Sequence, residues 1–427
     1  MLTPEYLSDV ADATEEIVSQ LNNYLIRKLA RSLEDIFERD GEVSFMPKHI
    51  YDMRKLKNAG MLYEQIEKEL EKQLPWLKKE IKKLFTAAAK ETEKTNDEFM
   101  RDVVSDAQKE GYTAGTAGTD LPKEAQLTGL SAKEMRLMEY AYAKTLGTVQ
   151  NITGTTAKTA NSAFISACDS AWSKMASGVD PNTAIVEAVT ELGKHGITAV
   201  SYGNREDKVE VAVARAVRTG ISQANGDVTM TRCAEIGVPC VLVSQHLGAR
   251  VTDKDDFTNH SWWQGKVYSI DWSNPALAKY KPTKKEAEKE KRTESYDKLK
   301  KIFSKSKVQY PDFMECCNYG HIQGICGINC RHSFSPFYPG HNENNNEPID
   351  PAENKKAYEL SQKQRAMERR IRELKREVEA LKGSGNQSEE CKEALKAVRA
   401  KLSAKAAQYD EFCRINHLSR ANWRLKI

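Results

Sequence analysis

The sequence predicts an α+β protein that is predominantly α-helical. Long stretches carry apolar residues at three- and four-residue spacing, the signature of helices with one buried face. Only two short runs alternate like strands, VPCVLVSQH (238–246) and GKVYSIDW (265–272). Charged residues make up 30% of the 427 and aromatics only 8%, which suits surface-rich helices around modest cores. A chain this long exceeds one ordinary core, and roughly two to four domains are expected.

Taken in order, residues 1–110 form a helical N-terminal region. Leu21, Leu25, Leu29 and Leu33 step by four, and FMPKH (45–49) breaks the pattern. Two amphipathic helices follow around NAGM, with Gly60 as a stop, and a further helix begins after Pro75, where proline is tolerated in a first turn. GYTAGTAGTDLP (111–122) reads as a Gly/Thr-rich hinge opening a helical middle region, 111–196. Within it, Asp180 is a good N-cap, Pro181 sits at the first helical position, Ile185, Val189 and Leu192 form the buried stripe, and Gly193 or Gly196 ends the helix.

Residues 197–345 form a small mixed α+β domain, with a helix over 205–235 and the two strands. A lysine-rich insertion, 279–307, carries 12 Lys/Arg against 5 Asp/Glu. It reads as a solvated face or as a phosphate-contacting arm through Lys284, Lys285, Lys289, Lys291 and Arg292. Residues 354–420 form an antiparallel, heptad-like helical hairpin. Met367, Ile371, Leu374, Val378 and Leu381 line one arm, and Cys391, Leu395, Val398 and Leu402 the other. The stripe then slips past Lys405 to Ala406, Tyr409 and Cys413, which suits a helix at its natural 3.6 period. Such a hairpin is interaction architecture, and self-association is one use of it.

Composition excludes several classes. A net charge of +4 is too small for a dedicated nucleic-acid binder. No apolar run is long enough for a membrane helix, so no membrane partner is expected. Acids at Glu5, Asp9, Asp12, Glu15 and Glu16 stand where a signal peptide would be basic and apolar, so a cytoplasmic origin is expected. Nine cysteines in a reducing compartment are expected to be free or metal-bound.

Three clusters could carry chemistry. RAVRTGISQANGDV (215–228) offers Arg215, Arg218, Thr219, Gln223 and Asn225 as an anion site or polar network, although an ordinary helix with a wet polar side accounts for it more simply. SQHLGARVTDKDDFTNHSWWQGKVYS (244–269) crowds His246, Arg250, His260, Trp262, Trp263 and Gln264. A histidine beside Arg250 and acids could serve acid–base work, but no nucleophile sits at a recognisable spacing. A polar-linked core corner, in which buried Trp and His find partners, is the simpler reading. CCNYGHIQGICGINCRHSFSPFYPG (316–340) sets Cys326, Cys330 and His332 within seven residues. Zinc wants four such ligands, and Cys316, Cys317, His321 or distant His260 could complete the set. The usual CxxC spacing is absent. A Cys/His nucleophilic pair is a further alternative, while SPFYPG favours a stiff, packed structural corner.

The ordered run VAVARAVRTGISQANGDV, LVSQHLGARVTDKDDFTNHSWWQGKVYS, YPDF and YGHIQGICGINCRHSFSPFYPG closely resembles tailed-phage minor capsid proteins of the Mu F-like head-morphogenesis kind, and more narrowly the phage minor capsid protein 2 family. LKNAGMLYEQIEKELEKQLPWLKKEIKKLF and SGVDPNTAIVEAVTELGKHGITAVSYGNREDKVEVAVARA resemble that family's N-terminal half, so the likeness covers roughly 45–380. It implies a virion protein in few copies, near the portal and the procapsid interior, assembled in the bacterial host cytoplasm and acting in head morphogenesis or DNA packaging and delivery. Its partners would be portal protein and major capsid or scaffold proteins, with non-specific contact to packaged double-stranded DNA. It implies no established reaction and no required cofactor. The alternative is a virion-delivered enzyme or zinc-binding effector.

The family-like positions are His246, Gly248, Ala249, Arg250, His260, Trp263, Gln264, Gly265, Tyr319, Gly320, Cys326, Gly327, Asn329, Cys330, Arg331, His332, Pro336, Phe337, Pro339 and Gly340. The family carries a Thr-Gly-Tyr-Gly-like stretch where this chain has CCNYG, so Cys316 and Cys317 drop out as shared ligands. That makes His260, with Cys326, Cys330 and His332, the candidate metal set. The family also reaches YPDF by a short link, which marks the lysine-rich segment as a local elaboration.

Overall fold

In the computed structural model of the chain, residues 2–10, 12–39, 41–109, 129–200, 206–283, 285–286, 309–420 and 422–427 are described. Helices dominate, and among the described residues the strands are short. The chain forms two compact units, each assembled from three segments. One comprises 1–11, 81–146 and 215–359, the other 12–80, 147–214 and 360–427. The units therefore do not follow chain order, whereas the sequence divides most simply into consecutive stretches.

The second unit is all but helical. It contains α2 (Asp12–Phe37), the first part of α3 (Lys48–Lys109), the second part of α4 (Ala132–Ala176), α5 (Pro181–His195), and most of the pair α9 (Pro351–Ser384) and α10 (Glu389–Ile415). Two minimal antiparallel ladders accompany them, β1 (Glu38–Arg39) with β2 (Glu42–Val43), and β3 (Thr198–Val200) with β4 (Glu206–Lys208). The leucine stripe of α2 is buried with Ile66, Phe164, Ile185, Leu192, Leu374, Leu381 and Val398 in one core. The α5 boundaries follow the expected chemistry. Asp180 accepts the Thr183 N–H at 2.9 Å, and Gly196, at φ 60°, ends the helix.

The helix α3 departs from expectation. It runs unbroken through Gly60 and Pro75. An internal proline costs about 3 kcal/mol, and a glycine about 1. Against that, the helix buries Leu62, Ile66, Leu70, Leu77, Ile81 and Phe85 along one stripe, each worth about 1.5–3 kcal/mol. Glu71 and Pro75 are both exposed, so the carbonyl that loses its donor lies on the solvent side and can be hydrated.

The hairpin of α9 and α10 forms where expected, with Gly385 at φ 76° in the turn and the Ser388 hydroxyl accepting the Cys391 N–H. The slip past Lys405 is also seen, since Tyr409 and Cys413 are buried with Ile371 and Leu425. Much of the apolar seam is covered within its own unit, where Leu374, Val378, Leu381, Cys391 and Val398 join the core just described.

The first unit holds a three-stranded antiparallel sheet in the order β6-β5-β7, formed by β5 (Cys240–Val243), β6 (Val267–Ser269) and β7 (Phe334–Phe337). The two expected strands are β5 and β6. The third, FSPF, runs into SPFYPG, which sequence reading takes as a stiff, packed turn. Pro336 fits because β7 is an edge strand, where a missing N–H costs no ladder bond. Behind the sheet lie Met230, Cys233 and Ile236 of α6 (Val209–Ile236), with Trp263, Tyr268, Phe313, Phe334 and Tyr338.

The polar side of α6 is not wet, against the simpler expectation. Arg215, Thr219 and Asn225 are buried. Arg218 donates to the carbonyls of Leu7 and Ser8, at the end of α1 (Pro4–Asp9), and the Thr92 hydroxyl donates to Asn225 Oδ1. Fully buried Arg232 bridges Glu134 at 2.9 Å and Asp97 at 3.5 Å, so α6 is tied to α4 and α3 by charge as well as packing. Of the lysine-rich insertion, 284 and 287–307 lie outside the described residues, and with them Lys284, Lys289, Lys291 and Arg292. Lys285 is exposed.

Candidate functional site

The connection between β5 and β6 carries the His246-to-Gln264 motif, and the loop before β7 carries Cys326, Cys330 and His332. Since β5 is the central strand, flanked by β6 and β7, the register brings both loops to one place. Val243 pairs with Phe334 and Leu242 with Val267, so the residues just outside these pairs meet beyond one end of the sheet. The Ser333 N–H donates to Ser244 Oγ at 3.0 Å and locks the loops together.

His260 opens the short helix α7 (His260–Trp263) and is buried, as are Cys330 and His332. Cys330 Sγ lies 3.7 Å from His260 Nδ1 and 3.6 Å from His332 Nδ1. The three ligand atoms lie within 4.8 Å of one another. His260 Nε2 donates to the Gln323 carbonyl at 2.9 Å. His332 Nε2 donates to Gln264 Oε1 at 3.1 Å, and the same oxygen accepts the His246 N–H at 3.0 Å. The backbone donor fixes which end of the Gln264 amide is oxygen, and two acceptor oxygens then fix both histidines as Nε2–H tautomers. Their Nδ1 lone pairs face the Cys330 sulfur.

Aromatic rings wall the group. Trp263 stands edge-on to His332 at 4.7 Å between centroids, and its N–H donates to the Phe257 carbonyl at 3.1 Å. His246 stacks on His332 at 4.5 Å. Burial pushes His260 down to about 4, with the Gln323 carbonyl opposing part of that shift. Burial likewise holds His332 well below the usual histidine range and the Cys330 thiol above the usual thiol range. Both imidazoles and the thiol are thus held neutral by desolvation.

The remaining motif residues divide by role. Cys326 is buried, with φ 59°, but its sulfur faces the His332 carbonyl at 3.7 Å and stands outside the three-atom group. Arg250 donates to the Ile328 carbonyl at 3.3 Å, tying the two loops from the other side. The Tyr319 hydroxyl donates to Asp227 Oδ1 at 2.8 Å, as does that of Tyr280 at 2.6 Å, in a separate network against α6. Gly248, Gly265, Gly320 and Gly340 all have positive φ, as does exposed Asn329. Arg331 is half-buried beside the cluster. Pro336 and Phe337 belong to β7, and Pro339 bridges to Asn342.

The loop itself is wound tightly. A Cβ on Gly324 would lie 2.2 Å from the Asn318 carbonyl oxygen, and one on Gly327 2.4 Å from that of Ile322, so only glycine admits these backbone approaches. Cys316 is half-buried on α8 (Phe313–Cys317), and Cys317 is buried there behind the sheet. All nine cysteines are free.

Sequence reading misses Gln323 and Asn354. Gln323 acts through its carbonyl, which leaves no trace in residue type. Buried Asn354 accepts the Gly248 and Ala249 N–H groups at 2.9 and 3.0 Å and returns a bond to the Ala249 carbonyl at 3.1 Å. Its signal was an amide on the first turn of a helix otherwise set with charges.

Among the described residues, no helix is long and apolar enough to cross a membrane. Among curated proteins and among solved structures, no match to the chain is found. The model of one family, phage minor capsid protein 2, matches residues 2–414. That match spans both compact units, the Cys/His corner and the helical hairpin, and with it the chain belongs to the phage minor capsid protein 2 family, as a structural component of a phage virion.

Proposed function

We propose that the protein sits near the portal, on the interior side of the capsid, and acts in head morphogenesis or in packaging and delivery of DNA. The observation that supports this reading is the family match over residues 2–414, together with the meeting of the His246-to-Gln264 and Cys330–His332 segments at one end of a small sheet. Portal protein is the principal partner, and major capsid or scaffold proteins are further ones. Lys285 and the basic residues around it contact packaged DNA without sequence preference, through phosphate charge alone. The hairpin of α9 and α10 spends much of its seam inside its own unit, which favours an intramolecular bracing role over a free self-association arm. No reaction is assigned to the chain.

The test is assembly. Tagged protein expressed with portal protein should recover it from clarified lysate, and heads assembled without the chain should be fewer or empty. Failure to recover portal protein, together with normal DNA-filled heads in its absence, would overturn the reading. DNA affinity that does not weaken steeply with added salt would remove the phosphate-contacting role.

A further inference from the structure

We propose that His260, Cys330 and His332 bind a zinc ion, with Nδ1 of each histidine and the Cys330 thiolate as the three protein ligands. The geometry suits it. Zinc bonds of about 2.3 Å to sulfur and about 2.0–2.1 Å to nitrogen, in a tetrahedron, set N···S edges near 3.6 Å. The observed edges are 3.6 and 3.7 Å.

Hydrogen-bond accounting points the same way. Two Nδ1 lone pairs face one sulfur, and a thiol carries one proton, so at most one lone pair can be satisfied without a cation. A cation satisfies both and the sulfur together. Each histidine also donates its far N–H to a carbonyl oxygen, of Gln323 or of the Gln264 amide, the arrangement that orients metal-bound imidazoles. One thiolate with two imidazoles selects zinc over magnesium or calcium, which want oxygen.

Four residues were expected from sequence, and the set narrows to three. Cys326 is directed at the His332 carbonyl instead, and the fourth position falls to water. Binding breaks the Cys330 S–H bond, forms the S–Zn bond and releases one proton to solvent. The role follows from placement. The ion would clamp the β5–β6 connection to the loop before β7.

The experiment uses the full chain, stripped with a chelator and titrated with zinc chloride. About one equivalent should be retained after desalting. X-ray absorption at the zinc edge should show one sulfur and two imidazole nitrogens, a readout that needs no variant. Cys326→Ser should keep full stoichiometry, while Cys330→Ser should lose it. Gln264→Leu should weaken binding about 10- to 100-fold, and Gln264→Glu, which keeps an acceptor for His332, should restore it. Retention of less than about a tenth of an equivalent by the unmodified chain overturns the site. Two sulfurs at the metal, or equal loss in Cys326→Ser, overturns the three-ligand assignment.

Discussion

Gln264 holds His332 by its ring. The amide Oε1 stands 3.1 Å from His332 Nε2 and accepts the His246 backbone N–H at 3.0 Å, so one oxygen joins two loops that lie 68 residues apart in sequence. The relationship fixes a proton. His332 should be the Nε2–H tautomer in metal-free protein, with Nδ1 unprotonated, as read from its 15N ring shifts. Gln264→Leu should give a mixture of tautomers. A predominant Nδ1–H form in the unmodified protein would contradict the geometry.

Arg232 should be a costly charge to remove. Its side chain is fully buried against Glu134 and Asp97, and it also donates to the Gly129 carbonyl. Removing one partner of a buried pair leaves carboxylates without compensation, at a cost of about 3–5 kcal/mol. Arg232→Ala should lower the denaturation midpoint accordingly. A change within about 0.5 kcal/mol, the range of an ordinary surface site, would show the network to be hydrated.

Glu34 makes stability depend on pH. Burial raises its carboxyl to about 7 from an ordinary 4.5, against the Asn386 amide that donates to it at 2.8 Å. Between those two values the folded chain holds a proton that the unfolded chain has released. Stability must therefore fall as pH rises through that window, and this group contributes no slope below or above it. The drop is on the order of 3 kcal/mol. Glu34→Gln should flatten the profile of urea midpoint against pH. A slope unchanged in that variant would assign it elsewhere.

Gly193 marks where α5 crosses α9. A Cβ there would lie 2.8 Å from the Arg376 carbonyl oxygen and 2.9 Å from the Ala380 Cβ. Both neighbours are held in a helix and cannot rotate away. Gly193→Ala, favourable by helix propensity alone, should destabilise by about 1–3 kcal/mol in a thermal melt. A stabilised variant would mean that the helices separate at no cost.

The helices, the α5 caps, the hairpin with its slip at Lys405 and two of the sheet strands could be read from the sequence, because each is written in local spacing or in a capping residue. The third strand could not. FSPF looks like a turn until β5 offers it an edge on which proline loses nothing. The unbroken α3 was hidden for a similar reason. Gly60 argues locally for a stop and Pro75 for a fresh start, and only burial of a stripe on both sides of them outweighs that cost.

The sequence by itself determined which thiol and imidazole groups the Cys/His corner has to offer. Cys326, Cys330 and His332 stand within seven residues, and the family resemblance, by setting Cys316 and Cys317 aside, added His260 to them. Tertiary structure alone decided which of them meet. Pairing of β5 with β6 and β7 brings His260 across 70 residues to Cys330, and the turn at Cys326 points its sulfur at a backbone carbonyl. Spacing along a chain fixes which groups are available. Direction in space depends on strand register and on the sign of φ, and neither is carried by the identity of the ligand residues.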